Sequence, residues 1–258
     1  MNTLIGDIGN TTTKICLINN RSCVFRKVIY FNSINILSNV FLKNKLKKIL
    51  KKDKINKFAL FSSVVPKYQG KVKNFLKKNY KIKLIEIKEK KINKIIKLNI
   101  KNKKQVGSDR IANAVGVYKK YKSNCIVLDF GTATTFDVVT NKGVYNGGII
   151  APGVNLSIKS LSNSADQIPI FSIKKQKKII GKDTLEALRS GFYWGYIGLI
   201  NNIILKIEKE TKKKYKIIFT GGYANLFKSS IIREYTIDTN ITLKGIVEIF
   251  KNNKKYLI

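Results

Sequence analysis

No histidine occurs anywhere in the chain. Its absence removes Ser-His-Asp and Cys-His catalysis and every metal site that needs imidazole. Acidic residues are scarce, 15 against 51 lysines and arginines, so acid–base chemistry falls to a few carboxylates, a lysine or a tyrosine. Only three cysteines are present. Cys16, Cys23 and Cys125 have neither metal nor redox spacing, which points to free thiols in a reducing cytoplasm. No stretch is long and apolar enough for a bilayer, which takes roughly 20 residues. The uncharged stretch Ser190 to Leu205 is shorter than that and is interrupted by Asn201 and Asn202, so a buried helix is expected there and no membrane partner. Met1-Asn2-Thr3 leads directly into a strand and Asp7, with no secretory leader expected. The pattern Gly-x4-Gly-Lys-Ser/Thr is also missing, which excludes a P-loop enzyme.

What is abundant is lysine. The formal charge is +36, and arginine contributes only Arg21, Arg26, Arg110, Arg189 and Arg233. Such a balance suggests nucleic acid at first. The lysines, however, are spread through most expected helices and loops among many isoleucines and asparagines, with no recognised nucleic-acid motif. Lys, Asn and Ile share AT-rich codons, so a drifted base composition accounts for the bias. The expected consequence is a solvated basic surface, with no specific nucleic acid and non-specific binding only at low salt.

With 258 residues and 44% apolar side chains, the chain can bury one large core or two smaller ones. Two cores are favoured by a repeat. Ile5-Gly6-Asp7-Ile8-Gly9-Asn10-Thr11-Thr12-Thr13-Lys14-Ile15-Cys16-Leu17 aligns without a gap on the thirteen residues Val127 to Val139. Each copy reads as an apolar strand ending in an acid, a tight turn, then a second apolar strand. Such a hairpin offers backbone N–H groups and hydroxyls to an anion and a carboxylate to a cation. Facing one another, two of them would clamp a nucleotide phosphate tail and its metal. An ordinary hairpin with Asx and Thr turns is the alternative for either copy alone.

Strands are expected at Thr3–Asp7, Lys14–Ile18, Ser22–Tyr30, Phe58–Ser62 and Leu84–Ile87. Apolar spacing predicts a helix over Ser33–Lys52 with Ser33 as N-cap, and another from Pro66 carrying Val72, Phe75 and Leu76. Lys88 to Lys104 is lysine-rich and weakly patterned, as a linker would be. Ser108 or Asp109 can cap a helix to about Tyr121. In the second half, strands are expected at Cys125–Asp129, Gly143–Ile150 and Ile217–Thr220. Helices are expected after Pro152-Gly153, from an Asp183 cap to about Glu210, over Tyr223–Ile231 and over Leu243–Lys251. The reading is α/β, with two lobes divided as 1–106 and 107–258 and a cleft between them.

Five motifs in order carry a resemblance: Asp7-x-Gly9-Asn10-Thr11, Gly107-Ser108-Asp109-Arg110, Asp129-x-Gly131-Thr132-Ala133-Thr134, Gly147-Gly148-Ile149-Ile150-Ala151-Pro152-Gly153 and Thr220-Gly221-Gly222. Gly181-Lys182-Asp183-Thr184 and Ser190-Gly191 also fit. The chain resembles the actin-like ATPase and sugar-kinase superfamily, with its two RNase H-like lobes, and within it the type III pantothenate kinases. That resemblance implies transfer of the γ-phosphoryl of ATP to pantothenate, the first step toward coenzyme A. It also implies a cytoplasmic homodimer with a dimer-forming helix in its second lobe, using Mg2+ and a monovalent cation, K+ or NH4+. For ATP it implicates Asp7, Ile8, Gly9, Asn10, Thr11, Thr12, Thr13, Lys14, Thr132, Gly221 and Gly222. For substrate it implicates Gly107, Ser108, Asp109, Arg110 and, across the dimer, Thr184. Asp7 would hold magnesium through water, Asp129 the monovalent cation, and Asp109 would be the general base.

Plainer readings stand beside these. Asp109 could serve only as a helix cap, Thr184 as a first-turn threonine behind Asp183, and the paired glycines as structural turns. Phe192, Tyr193, Trp194 and Tyr196 read as core and dimer packing rather than a ligand cage. Where the family commonly has a tyrosine and a proline upstream of Gly107, this chain has Ile100 and Lys103. Three functional classes follow: a pantothenate kinase, another phosphotransferase or phosphatase of the superfamily, and a catalytically eroded protein binding nucleic acid or another partner through its lysines.

Overall fold

The computed structural model describes residues 1–50, 54–89, 95–228 and 232–256. The chain divides into two compact units: Met1–Lys122 with Gly143–Tyr145 and Asn240–Ile258, and Ser123–Lys142 with Asn146–Thr239.

The first unit is built on five strands: β1 (Asn2–Ile8), β2 (Thr12–Asn19), β3 (Phe25–Asn32), β4 (Ile55–Ser63) and β5 (Lys83–Glu86), in the order β3-β2-β1-β4-β5. The first three form an antiparallel meander, and β4 and β5 add in parallel. Strands covered on both faces read as nearly continuous apolar runs, as Ile15–Ile18 does with all four residues buried. One face packs Leu4, Ile8, Ala59 and Phe61 against Leu42 and Leu46 of α1 (Asn39–Leu50) and Val72 and Leu76 of α2 (Pro66–Tyr80). The alternate face carries Phe58, whose ring lies 6.4 Å from Phe250 of α7 (Ile241–Asn253). Pro66 stands in the first turn of α2, where its missing N–H costs nothing.

The helix expected over Ser33–Lys52 is two elements. Ser33–Leu37 is a 3-10 turn, Ser38 is extended, and α1 begins at Asn39. Ser38 acts as the cap, its Oγ accepting the Phe41 N–H at 3.2 Å. Ser33 cannot fill that role because its hydroxyl is committed to the first hairpin. Residues 51 and 52, and 90–94 of the lysine-rich linker, lie outside the described residues. Of that linker, Lys97–Leu98 (β6) pairs in parallel with Val144 and Tyr145.

A cut at 106/107 would assign α3 (Ser108–Tyr121) and α7 to the second lobe, but both belong to the first unit. The reason is their crossing. A Cβ on Gly116 would meet the Ile241 carbonyl at 2.6 Å, and one on Gly245 would collide with the Ala112 carbonyl. Glycines at both points let the two backbones touch, and a buried bond from Thr242 Oγ1 to Asn113 Oδ1, 2.8 Å, fixes their register.

The second unit arranges β7 (Cys125–Phe130), β8 (Ala133–Val139), β9 (Val144–Pro152), β10 (Lys216–Gly221) and β11 (Tyr235–Ile237) in the order β11-β10-β7-β8-β9. Helices α4 (Val154–Ser164), α5 (Thr184–Thr211) and the short α6 (Ala224–Phe227) supply its core with Ile158, Tyr193, Ile197, Ile200, Ile204 and Phe227. Asp183 caps α5 as expected, accepting the Glu186 N–H at 2.7 Å. The helix expected over Tyr223–Ile231 is the four-residue α6, and 229–231 lie outside the described residues. No helix among the described residues is long and apolar enough to cross a membrane.

Gly245→Ala is expected to destabilise the protein by about 1–3 kcal/mol through overpacking of the α3–α7 crossing. A urea midpoint equal to that of the wild type would contradict the tight contact.

Candidate active site

The two copies of the repeat form β1–β2 and β7–β8. Both are antiparallel hairpins, yet they close differently. In the first, Asp7 stands opposite Lys14 and the Gly9 N–H donates to the Thr12 carbonyl at 3.1 Å. In the second, Asp129 stands opposite Thr135 and the Gly131 N–H donates to the Ala133 carbonyl at 3.1 Å. The second turn is therefore one residue tighter, although the sequences align without a gap.

In the first loop Asn10, Thr11 and Thr12 are exposed, while Ile8 and Thr13 are buried. The side chains of Ile8 and Thr13 thus serve the core, leaving only their backbone for a ligand. Ser33 holds this loop from outside the repeat. Its N–H donates to the Thr11 carbonyl at 2.8 Å and its hydroxyl to the Gly9 carbonyl at 2.7 Å. With that proton committed, the Thr13 hydroxyl is the donor in the 2.8 Å Thr13–Ser33 bond. Three carbonyl and hydroxyl acceptors are satisfied behind the turn, with Asn10, Thr11 and Thr12 exposed at its tip.

The Gly107-Ser108-Asp109-Arg110 motif lies at the start of α3 and is fastened to the same sheet. Asp7 and Ile8 pair with Ser62 and Ser63 of β4. The Ser63 N–H donates to Ser108 Oγ at 2.8 Å, Ser108 donates to the Ser63 carbonyl at 2.8 Å, and Ser62 donates to Ser108 at 3.2 Å. Neither Ser108 nor Asp109 is the N-cap; Gly107 is, without a side-chain cap. Ser108 is buried, and its hydroxyl is spent on β4. The Asp109 carboxylate instead accepts the Arg110 N–H at 2.7 Å, in space that a side chain at Gly107 would occupy. Arg110 lies over the Tyr145 ring at 5.9 Å. One strand junction in the first unit thereby brings Asp7, Asp109 and Arg110 into one neighbourhood. At the end of β5, burial pushes the Glu86 carboxyl above its ordinary value, against the pull of the Lys88 N–H that it accepts at 2.7 Å.

In the second unit Asp129 and Thr132 flank the tight turn, and beside it Gly221 ends β10 with Gly222 following. Gly221 has φ +84, and a side chain there would strike Phe130 backbone and the Asp129 carboxylate. The Gly222 N–H donates to the Phe130 carbonyl at 3.0 Å. Tyr193 and Tyr196 are core residues, stacked on Phe227 at 6.1 and 5.7 Å, which disfavours a ligand cage. Thr184 is exposed and lines an apolar groove of about 700 Å³ along α5 with Leu161, Leu188, Gly191, Gly195 and Leu199. Among the described residues no group of three carboxylate or thiol ligands gathers. Single carboxylates such as Asp7 and Asp129 suit hydrated hard cations whose remaining ligands are phosphate oxygens and water.

A family model described as type III pantothenate kinase matches residues 3–206. The chain belongs to the type III pantothenate kinase family. A relative with that name from Pelagibacter ubique is 50% identical over 244 residues, covering 95% of this chain and 96% of that protein. Another from Paramagnetospirillum magneticum is 36% identical over 195 residues, 76% of this chain and 75% of its own. Among solved structures, the activator of the 2-hydroxyisocaproyl-CoA dehydratase from Clostridium difficile with bound ADPNP superposes with TM-score 0.57 at 12% identity, over 99% of this chain and 97% of that one. That likeness speaks for the fold alone, that of the actin-like ATPases, as the duplicated hairpins implied.

Sequence reasoning missed Ser33, Ser62 and Ser63 as parts of the site. Serines scattered among strand ends carry no periodic signal, and only their partners reveal them. Ser33→Ala is expected to raise the KM for ATP about 3–10-fold, the equivalent of roughly 1 kcal/mol of lost hydrogen bonding. An unchanged KM in steady-state kinetics would remove Ser33 from the loop's support.

Proposed function

We propose that the chain phosphorylates pantothenate with ATP, the first committed chemistry toward coenzyme A, and that Asp109 is its general base. The single observation supporting that role is the fastening of Ser108 to Ser63, next to the strand pairing of Asp7. In this reading Asp109 accepts the proton of the pantothenate hydroxyl as its oxygen attacks the γ-phosphorus. The bond from that phosphorus to the bridging oxygen breaks, giving 4'-phosphopantothenate and ADP. A carboxylate suffices as base because phosphoryl transfer proceeds through a loose transition state governed by alignment and charge neutralisation. Arg110 and the Gly107–Ser108 backbone orient the substrate.

Asn10, Thr11 and Thr12 bind phosphate oxygens with the backbone of the first loop, with Lys14 beside them. In the second unit, Thr132 and the bare backbone of Gly221-Gly222 are the groups offered to a nucleotide. Asp7 would hold Mg2+ through water and Asp129 a monovalent cation, K+ or NH4+. These ions supply neutralisation of phosphate charge. Family membership at 50% identity does not favour an eroded scaffold that binds nucleic acid, and the scattered lysines give no reason for a specific nucleic-acid partner. A cytoplasmic location accords with the free thiols of Cys16, Cys23 and Cys125.

We also read the protein as a homodimer joined along α5. Additions at Gly191, Gly195 and Gly198 would meet nothing within 4 Å, so small residues leave that helix face open beside the apolar groove. A second copy of the same helix suits a stripe of small residues, and the exposed Thr184 would then reach the partner's substrate.

Asp109→Asn is expected to keep ATP binding and lose about 10²–10⁴-fold in turnover. The check is ADP release with and without pantothenate, Mg2+ and K+; a variant within twofold of wild type removes Asp109 from the mechanism. Gly195→Arg is expected to convert a dimer to a monomer in sedimentation equilibrium. A wild-type monomer, or a variant that still pairs, would refute pairing through α5.

A further inference from the structure

Two segments of the second unit are tied to opposite sides of the β7–β8 turn. The Gly222 N–H holds the Phe130 carbonyl at 3.0 Å, and the Gly153 N–H, at the start of α4, holds the Thr132 carbonyl at 3.1 Å. Side chains then join these segments to each other, because the Tyr223 hydroxyl donates to Asn155 Oδ1 across 68 residues of sequence. The result is a closed ring: β7–β8 turn, first turn of α4, Asn155, Tyr223, Gly222, and back to the turn. Behind it the Tyr196 hydroxyl donates to the Pro152 carbonyl at 2.7 Å, and the Ser157 hydroxyl lies 3.4 Å from Tyr196.

This bond is oddly placed for a stabilising one. Asn155 is exposed and Tyr223 half-buried, so water can replace either partner and the net gain in stability is small. Burial raises the Tyr223 phenol above its ordinary value, with the Asn155 bond opposing, so the group stays protonated and a donor at neutral pH. The bond's effect is geometric. It sets the distance between the Gly221–Gly222 turn, where a base or ribose can rest on bare backbone, and the Thr132 turn, which in the kinase reading is offered to the phosphates.

We propose that Tyr223 and Asn155 are positioning residues for the nucleotide, their hydrogen bond holding the nucleoside-binding turn and the second phosphate turn at the spacing of one bound ATP. The inference rests on the kinase reading and adds to it which residues preset the ATP half of the site. Preorganisation of this kind acts on binding, because its loss is felt as an ordering cost when the ligand arrives.

The test uses the full chain and the variants Tyr223→Phe, Asn155→Ala and the pair together. Each single change is expected to raise the KM for ATP and the Kd for ADP about 3–10-fold, leaving kcat and the pantothenate KM within twofold. The double variant is expected to be no worse than either single one, since both remove the same bond. Additive losses, or a wild-type Kd for ADP in Tyr223→Phe, overturn the proposal. Calorimetric titration with ADP needs no turnover, so a wild type inactive on pantothenate would count against the kinase reading without deciding this one. Thermal melts show that the variants are folded; Asn155→Ala, at an exposed site, keeps the test open should Tyr223→Phe fail to fold.

Discussion

Ser108 Oγ does what a backbone amide would do at the end of a strand. It accepts the Ser63 N–H and donates to the Ser63 carbonyl, both at 2.8 Å, where the sheet offers no further strand to take them. A buried amide left without partners costs about 1–3 kcal/mol per group, so this hydroxyl decides whether β4 can end where it does. The same bonds decide where α3 begins. With Ser108 pinned, Asp109 and Arg110 follow in the first turn, and their backbone has no freedom to drift from β4. The placement of the Gly107–Arg110 motif therefore depends on one buried side chain.

The duplicated hairpins show how far one sequence pattern can be bent by its surroundings. Both copies place an acid two residues before a glycine, and both close a short turn. What differs is the clamp. Ser33 grips the carbonyls of Gly9 and Thr11 in one, while Gly153 grips that of Thr132 in the other. A shift of one residue in closure exchanges the faces on which side chains emerge. Asp7 consequently meets a lysine across the hairpin and Asp129 a threonine. Similar carboxylates thus acquire unlike neighbours.

Features set by local pattern were legible in the sequence. Apolar runs at Ile15–Ile18 and Cys125–Leu128, Pro66 at a helix start and the Asp183 cap all depend on residues a few positions apart. Hydrogen bonds spanning long separations were not legible. Ser33 looked like a helix cap because serine before an apolar period usually is one, but a loop 24 residues earlier claimed its hydroxyl. Ser108 was likewise claimed by a strand 45 residues away. Polar side chains at strand ends have several possible partners, and tertiary structure chooses among them. The ordered motifs succeeded for the opposite reason, since each is a backbone conformation with its own residue requirement, as at Gly221.

The lysine excess can be followed into the backbone itself. Helices α2, α3 and α5 end at Lys81, Lys122 and Lys212, all with positive φ, at 56°, 49° and 52°. Glycine or asparagine usually takes that left-handed position, and a side chain there costs about 1–2 kcal/mol. A cation at a helix C-terminus recovers roughly 0.3–1 kcal/mol from the helix dipole. Lysine is thus tolerable in these places without being favoured by them. Residues recruited to hold nucleic acid would gather on one face, and conformational tolerance would not choose their positions. Lysine at three helix ends, where the backbone would prefer glycine, adds to the charge of +36 at positions where the fold makes no demand for it.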